Sequence, residues 1–148
     1  MPAPPVKIDA TLVETIIRHI PHCVELGMRL ADLGPDWAML ALPYDQRLVG
    51  DPETGVLHGG AVSSVIDTVC GLAVTMARGQ VAGMATLDLR IDYLKPATPG
   101  QELLARADCF KLTRNIAFVR GRAFHASAPG DTVAASAAVF MLEPAASR

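Results

Sequence analysis

Aromatic side chains are scarce in this sequence. They make up 5% of 148 residues: one Trp, two Tyr and four Phe. A stacking pocket for a flat ligand is therefore not expected, and an apolar site should be lined by aliphatic groups. An excess of one charge is also missing. Thirteen Lys and Arg stand against 15 Asp and Glu, a formal net charge of −2. Without a basic excess the chain lacks the electrostatic footprint of a nucleic-acid binder. Cysteine is limited to Cys23, Cys70 and Cys109, an odd number, widely spaced and without a CxxC pair. That excludes a disulfide framework, fits a reducing cytoplasm, and leaves three small, inert hydrophobes. The N-terminus has no positive region followed by an apolar run, so no signal peptide is expected. No membrane span is expected either, because the most apolar stretch, 55–77, is broken by Asp67 and by glycines. What the chain has in quantity is hydrophobic residues, 51%, enough for the core of one domain over 1–148. The ends, 1–7 and 143–148, should be loose tails.

Residues 55–77 organise the rest. From His58 onward Val62, Val65, Ile66, Val69, Leu72, Ala73 and Met76 recur at helical spacing as one apolar stripe. The opposite face holds Gly60, Ser63, Ser64, Asp67 and Gly71 in place of the Lys, Glu and Arg of a solvated face. Asp67 is the one formal charge after His58 in this stretch, and a lone carboxylate on such a helix is costly unless paired or used. At the helix start, His58-Gly59-Gly60 offers free N–H groups, a partial positive charge and unobstructed backbone. An amide there can hold a carbonyl oxygen as it gains negative charge. Gly59 and Asp67 are eight residues apart, about 12 Å along a helix. Groups acting on one carbonyl must each lie about 3 Å from it. One helix cannot supply both, whereas two antiparallel copies across a two-fold axis can, so the motif makes chemical sense in a homodimer.

The remaining elements follow from pattern. Ile8–Ile20 has helical apolar spacing and ends at Pro21. His19, His22 and Cys23 are metal-ligand types, but Pro21 disrupts the helix that would gather them, so no metal is expected. Residues 28–33 and 37–42 form a hairpin around Gly34-Pro35-Asp36, with imperfect alternation, and 43–55 is a polar, turn-rich connection. Residues 83–94 form a strand with Leu87, Leu89, Ile91 and Tyr93 on one face and Thr86, Asp88 and Arg90 on the other. Residues 102–110 and 116–126 form a second hairpin with Lys111–Asn115 at its turn, and 132–142 is the last strand. Composition and pattern stop at an α+β class.

His58-Gly59-Gly60 with an acid at 67 and Gly71 beyond it resembles the hotdog-fold acyl-CoA thioesterases of the PaaI-like group. The similarity continues through Thr86-Leu-Asp-Leu-Arg-Ile-Asp-Tyr93-Leu-Lys-Pro96-Ala and covers roughly residues 22–142. The resemblance implies a five- to six-stranded antiparallel sheet wrapped around a long central helix. It implies hydrolysis of an acyl-CoA thioester without metal or redox cofactor, in a homodimer or a homotetramer built from two dimers. Asp67 would be nucleophile or general base, and the Gly59 N–H the oxyanion donor, with Gly60 supporting the same turn. His58 would fix the loop or hydrogen-bond across the site. Asp51 falls where many relatives have Asn. An ionised Asp only accepts hydrogen bonds, so it can hold a water but not donate to a carbonyl; otherwise Asp51-Pro52 is an ordinary turn. Thr86 matches a Ser/Thr position that helps position the attacking water, but strict alternation turns it away from the helix unless a bulge intervenes. Lys111, Arg114, Arg120 and Arg122 form a basic cluster suited to coenzyme A phosphates, with Arg114 and Asn115 at the turn the best placed. Two other functions compete. A hotdog hydratase or dehydratase needs Asp/His or His/Glu pairs in other motifs, and enoyl-CoA against acyl-CoA assays separate it. A non-catalytic acyl-CoA binder has no need of Asp67.

Overall fold

A computed structural model describes residues 7–144 of the chain. The expected tails fall at 1–7 and 143–148, of which 1–6 and 145–148 lie outside the described residues. Glu143 is not loose: its N–H donates to Gly83 O, and its carbonyl accepts from Arg78.

The central helix, α3 (Gly59–Arg78), follows the apolar stripe. His58 caps its start, with Nδ1 accepting from the Gly60 N–H at 2.8 Å. Gly79 ends it in a left-handed conformation (φ 63°) that returns its N–H to Thr75 O and Met76 O. The stripe is buried from Val62 to Met76. By length and composition α3 could cross a bilayer, but 61% of its most apolar window is buried against the protein's own sheet.

That sheet is antiparallel, in the order β1 (Arg29–Leu33), β2 (Trp37–Leu42), β6 (Leu103–Leu112), β7 (Ile116–Phe124), β8 (Thr132–Leu142), β5 (Met84–Tyr93). Small buried residues, Ala105, Ala107, Ala134 and Ala138, leave room for the helix, which packs mainly on β6, β2 and β7. The six strands around one helix are the hotdog arrangement implied by the resemblance. A first helix, α1 (Ala10–His19), buries Val13 and Ile17 and is capped by the Asp9 carboxylate. Pro21 does not simply end the helical region. It starts a second short helix, α2 (Pro21–Glu25), because a proline lacks only an N–H that the first turn does not use. The connection at 43–55 contains a 3-10 turn (Gln46–Leu48) and most of a two-stranded ribbon, β3 (Val49–Asp51) with β4 (Val56–Leu57), which feeds directly into His58.

Five strands, β1, β3, β5, β6 and β8, carry bulges, and three of these bear on the pattern read from the sequence. One in β1, between Leu30 and Asp32, explains the broken alternation of the first hairpin. One in β6 lies between Cys109 and Lys111, and β6 runs on to Leu112, so Lys111 is a strand residue and not part of the turn. The third, in β5, corrects the expected faces. Thr86 pairs with Phe140 but Asp88 with Val139, so Leu87 is the extra residue. Leu87 is 55% exposed and does not join Leu89 and Ile91 against the core. The extra residue reverses the parity upstream of it, and Thr86 turns toward α3.

Candidate active site

Asp67 lies near the middle of α3 and is half-buried. Its Oδ1 accepts from Thr86 Oγ1 at 3.1 Å, a contact made possible by the β5 bulge. This fixes the carboxylate by one oxygen. Both residues line a groove of about 390 Å³ between α1, α3 and β5, together with Gly71, Leu72, Met84 and Phe140. Both were candidate site residues in the sequence, and the structure places them within hydrogen-bond distance of each other.

Gly59, the first residue of α3, is exposed. Among the described residues no acceptor bonds its N–H, as expected for the first donor of a helix. Its carbonyl accepts from Tyr93 Oη at 3.0 Å. Tyr93 is a contributor that pattern alone did not single out. It ends the inward row of β5 beside the helix start, and its position within Asp-Tyr-Leu-Lys-Pro was the available signal. Gly60 does not have a free N–H, since His58 Nδ1 takes it. That bond leaves the imidazole with only Nε2 to present, so His58 organises the turn. His58 and Gly60 border a separate cavity of about 300 Å³ with Arg47, His22 and Ser64. Gly59 and Asp67 of one protomer remain about 12 Å apart along the helix.

Asp51 closes its own turn. Its carboxylate accepts from Glu53 N at 3.1 Å and Thr54 Oγ1 at 2.8 Å. Those bonds, the Thr54 hydroxyl first, hold its pKa below the usual carboxylate range. The ribbon that carries it runs against His58, whose N–H donates to Leu48 O.

The basic cluster is dispersed. Arg120 lies over the Phe110 ring, and Arg122 lies over Phe124 and bonds Pro129 O. Arg114 and Asn115 line a larger cavity, about 550 Å³, with Arg78, Gln80 and Glu143. Lys111 is outside its lining. Arg78 is eleven residues beyond Asp67, about 16 Å along the axis, so this cavity belongs to the far end of the helix. The histidines near α2 bond elsewhere: His19 Nδ1 with Thr15 O, His22 Nε2 with Ser64 Oγ. Among the described residues no group of three or more His, Cys, Asp or Glu gathers as a metal site. The three cysteines are free and buried. Burial raises the pKa of each thiol, that of Cys70 to about 12.

A sequence profile described as the thioesterase superfamily matches residues 54–130. The medium/long-chain acyl-CoA thioesterase YigI of Escherichia coli K12 is 28% identical over 120 residues, 72% of this chain and 77% of that protein. A crystal structure of a Pseudomonas aeruginosa protein is 34% identical and superimposes with a TM-score of 0.81, covering 90% of this chain and 98% of that one. A mutant of the phenylacetic acid degradation protein PaaI from Thermus thermophilus is 27% identical, with a TM-score of 0.72 over 83% of this chain and 99% of that one. The profile takes in just over half of the sequence, and the sheet and helix superimpose on both solved structures, so the chain belongs to the thioesterase superfamily as a PaaI-like hotdog thioester hydrolase.

Proposed function

We propose that the protein hydrolyses an acyl-CoA thioester to free acid and coenzyme A at a site shared by two protomers. One observation carries the reading: a carboxylate, Asp67, held at one oxygen by Thr86 while it borders an apolar groove. The thioester carbonyl sits between Asp67 of one protomer and the Gly59 N–H of its partner, because one helix holds these groups too far apart. Asp67 either adds to the carbonyl carbon itself or takes a proton from a water that adds. The oxyanion that forms is stabilised by the Gly59 N–H and the positive end of α3. The C–S bond then breaks, and the departing thiolate takes up a proton. If Asp67 itself has added, water hydrolyses the resulting anhydride and regenerates the carboxylate. Thr86 orients Asp67, and His58 with Gly60 holds the turn that presents Gly59. Asp51 is assigned to the water side of the site, reached from the partner through the ribbon. The Arg114–Asn115 turn, with Lys111 nearby on β6, is proposed to meet coenzyme A phosphates, from whichever protomer of the assembly lies within reach.

The long free edge of β5 supports the pairing. It is ten residues long, its outer side pairs with no strand among the described residues, and it exposes Leu87 and Tyr93. A homodimer joined there, and a homotetramer of two such dimers, is the proposed assembly.

A steady-state assay of thiol release tests the chemistry. Asp67→Asn keeps the shape and removes both nucleophile and base, so kcat should fall by about 10² or more while thioester binding survives. In the same assay Arg114→Ala should raise KM for a CoA thioester more than for a pantetheine thioester lacking the nucleotide. Near-normal turnover in Asp67→Asn removes the mechanism, and equal KM effects on the two substrates remove the phosphate contact.

A further inference from the structure

Gly71 has no local reason to be a glycine. It lies inside α3, one turn beyond Asp67, and is not among the glycines of positive φ. A Cβ added there would lie 3.9 Å from Phe140 Cε1 and 4.0 Å from Met84 Sδ, ordinary van der Waals contact. Alanine would fit and would favour the helix. What the missing side chain leaves open is the groove beside Asp67.

The lining of that groove limits what can occupy it. Its walls are Ile16, Ile20, Leu72, Val81, Met84 and Phe140. Its hydroxyls are already engaged: Thr68 Oγ1 donates to Ser64 O at 2.8 Å, Thr75 Oγ1 to Gly71 O at 3.2 Å, and Thr86 Oγ1 to Asp67 Oδ1 at 3.1 Å. A guest that carries amides, such as a pantetheine arm, finds few free partners there and loses its hydrogen bonds to water. A saturated chain loses none. The outer wall comes from α1, outside the matched residues 54–130. Val13 and Ile17 anchor α1 in the core, whereas Ile16 on its flank and Ile20, the extended residue that caps its C-terminus, border the groove, with Ile20 still 38% exposed. Thr75 lies eight residues past Asp67, about 12 Å along the axis. An extended hydrocarbon advances about 1.25 Å per carbon, so the groove accommodates roughly eight to ten carbons.

We propose that this groove receives the aliphatic tail of a medium-length acyl group, with Gly71 keeping it open and Ile16 of α1 and its C-cap, Ile20, forming the outer wall. The assignment rests on the thioesterase reading above and names its substrate class.

The test uses two ligand series with alkyl or acyl chains of increasing length: S-alkyl-CoA thioethers, which bind but cannot be hydrolysed, and the corresponding acyl-CoA thioesters. For the wild type, affinity should rise about three- to fourfold per methylene and level off near eight to ten carbons. Gly71→Leu fills the groove and should cut the decyl-over-butyl preference at least tenfold in both binding and kcat/KM. The double variant Ile16→Ala, Ile20→Ala removes the outer wall and should also lower that ratio. Circular dichroism checks folding, and Gly71→Ala, for which space exists, gives the same readout on a smaller scale if Gly71→Leu does not fold. Weakening of every chain length by one factor would mean that the coenzyme arm occupies the groove, and would overturn the proposal. Unchanged ratios in folded variants would overturn it too. Chain-dependent binding without thiol release from any thioester would instead remove the hydrolase reading and leave the groove assignment standing.

Discussion

At the scale of single residues, the candidate site separates groups that act from groups that hold them. Asp67 has one oxygen held by Thr86, and the Gly59 carbonyl is held by Tyr93, itself 53% exposed in the protomer. Tyr93 is therefore a positioning residue for the peptide units that begin α3. Tyr93→Phe removes one hydrogen bond, typically about 1 kcal/mol. If that bond aligns the Gly59 turn for the transition state, kcat should fall by about fivefold with KM nearly unchanged. The readout is the split between kcat and KM alongside the melting temperature. A variant that loses stability but keeps kcat would make Tyr93 a structural residue only. Asp51 shows where residue identity did not determine a role. Its sequence position suggested the active site, yet both its oxygens close the 51–54 turn.

At the scale of elements, the long helix was legible because an apolar stripe at helical spacing follows the His58-Gly59-Gly60 start, and the structure adds the His58 cap and the Gly79 terminator. The strands at 37–42 and 132–142 were legible to the residue because each is an apolar run bounded by turn residues. What could not be read were departures from strict period two. A bulge is one extra residue, and nothing in Ala85-Thr86-Leu87-Asp88 indicates which residue is extra until β8 sets the pairing. The ribbon of β3 and β4 is too short for any period to show, and Pro21 signals a helix start as readily as a helix end. The β5 bulge makes an unusual deletion testable. Removing Leu87 leaves Thr86 on the same side as Leu89, because regular alternation then gives the parity that the bulge now supplies. Removing Ile91 instead turns Leu89 away from the face that holds Tyr93. Deletion of Leu87 should therefore retain the fold and a measurable fraction of activity, whereas deletion of Ile91 should abolish both. Melting curves and thiol release compare them, and equal damage from the two deletions would refute the parity argument.

At the scale of the whole molecule, the separation of Gly59 from Asp67 makes the proposed enzyme a property of a pair of chains. The geometry supplies a clean way to disable one half. Gly59 is the first residue of α3, where proline is tolerated, and His58 before it has the extended backbone (φ −61°, ψ 137°) that a following proline prefers. A Cβ at Gly59 would come no closer than 3.6 Å to Tyr93. Gly59→Pro thus removes the N–H with little other change. Mixed with Asp67→Asn chains and allowed to exchange, it should form heterodimers with one doubly defective site and one intact site. Two inactive proteins should then regain about a quarter of wild-type activity at random pairing. Proven heterodimers without recovery would rule out a shared site.

The burial of every cysteine bears on this chemistry in a further way. Each turnover of a CoA thioesterase liberates a thiol, and oxidised coenzyme A is a disulfide that exchanges with any accessible protein thiolate. Cys23, Cys70 and Cys109 are all enclosed, and burial keeps their sulfurs protonated. Exchange requires both a thiolate and access, and the folded protein denies both. With the proposed CoA thioester as substrate, the protein can work in a rising concentration of its leaving group and of the disulfide formed from it without becoming mixed-disulfide-linked, and a thiol-trapping dye added during turnover would count coenzyme A alone.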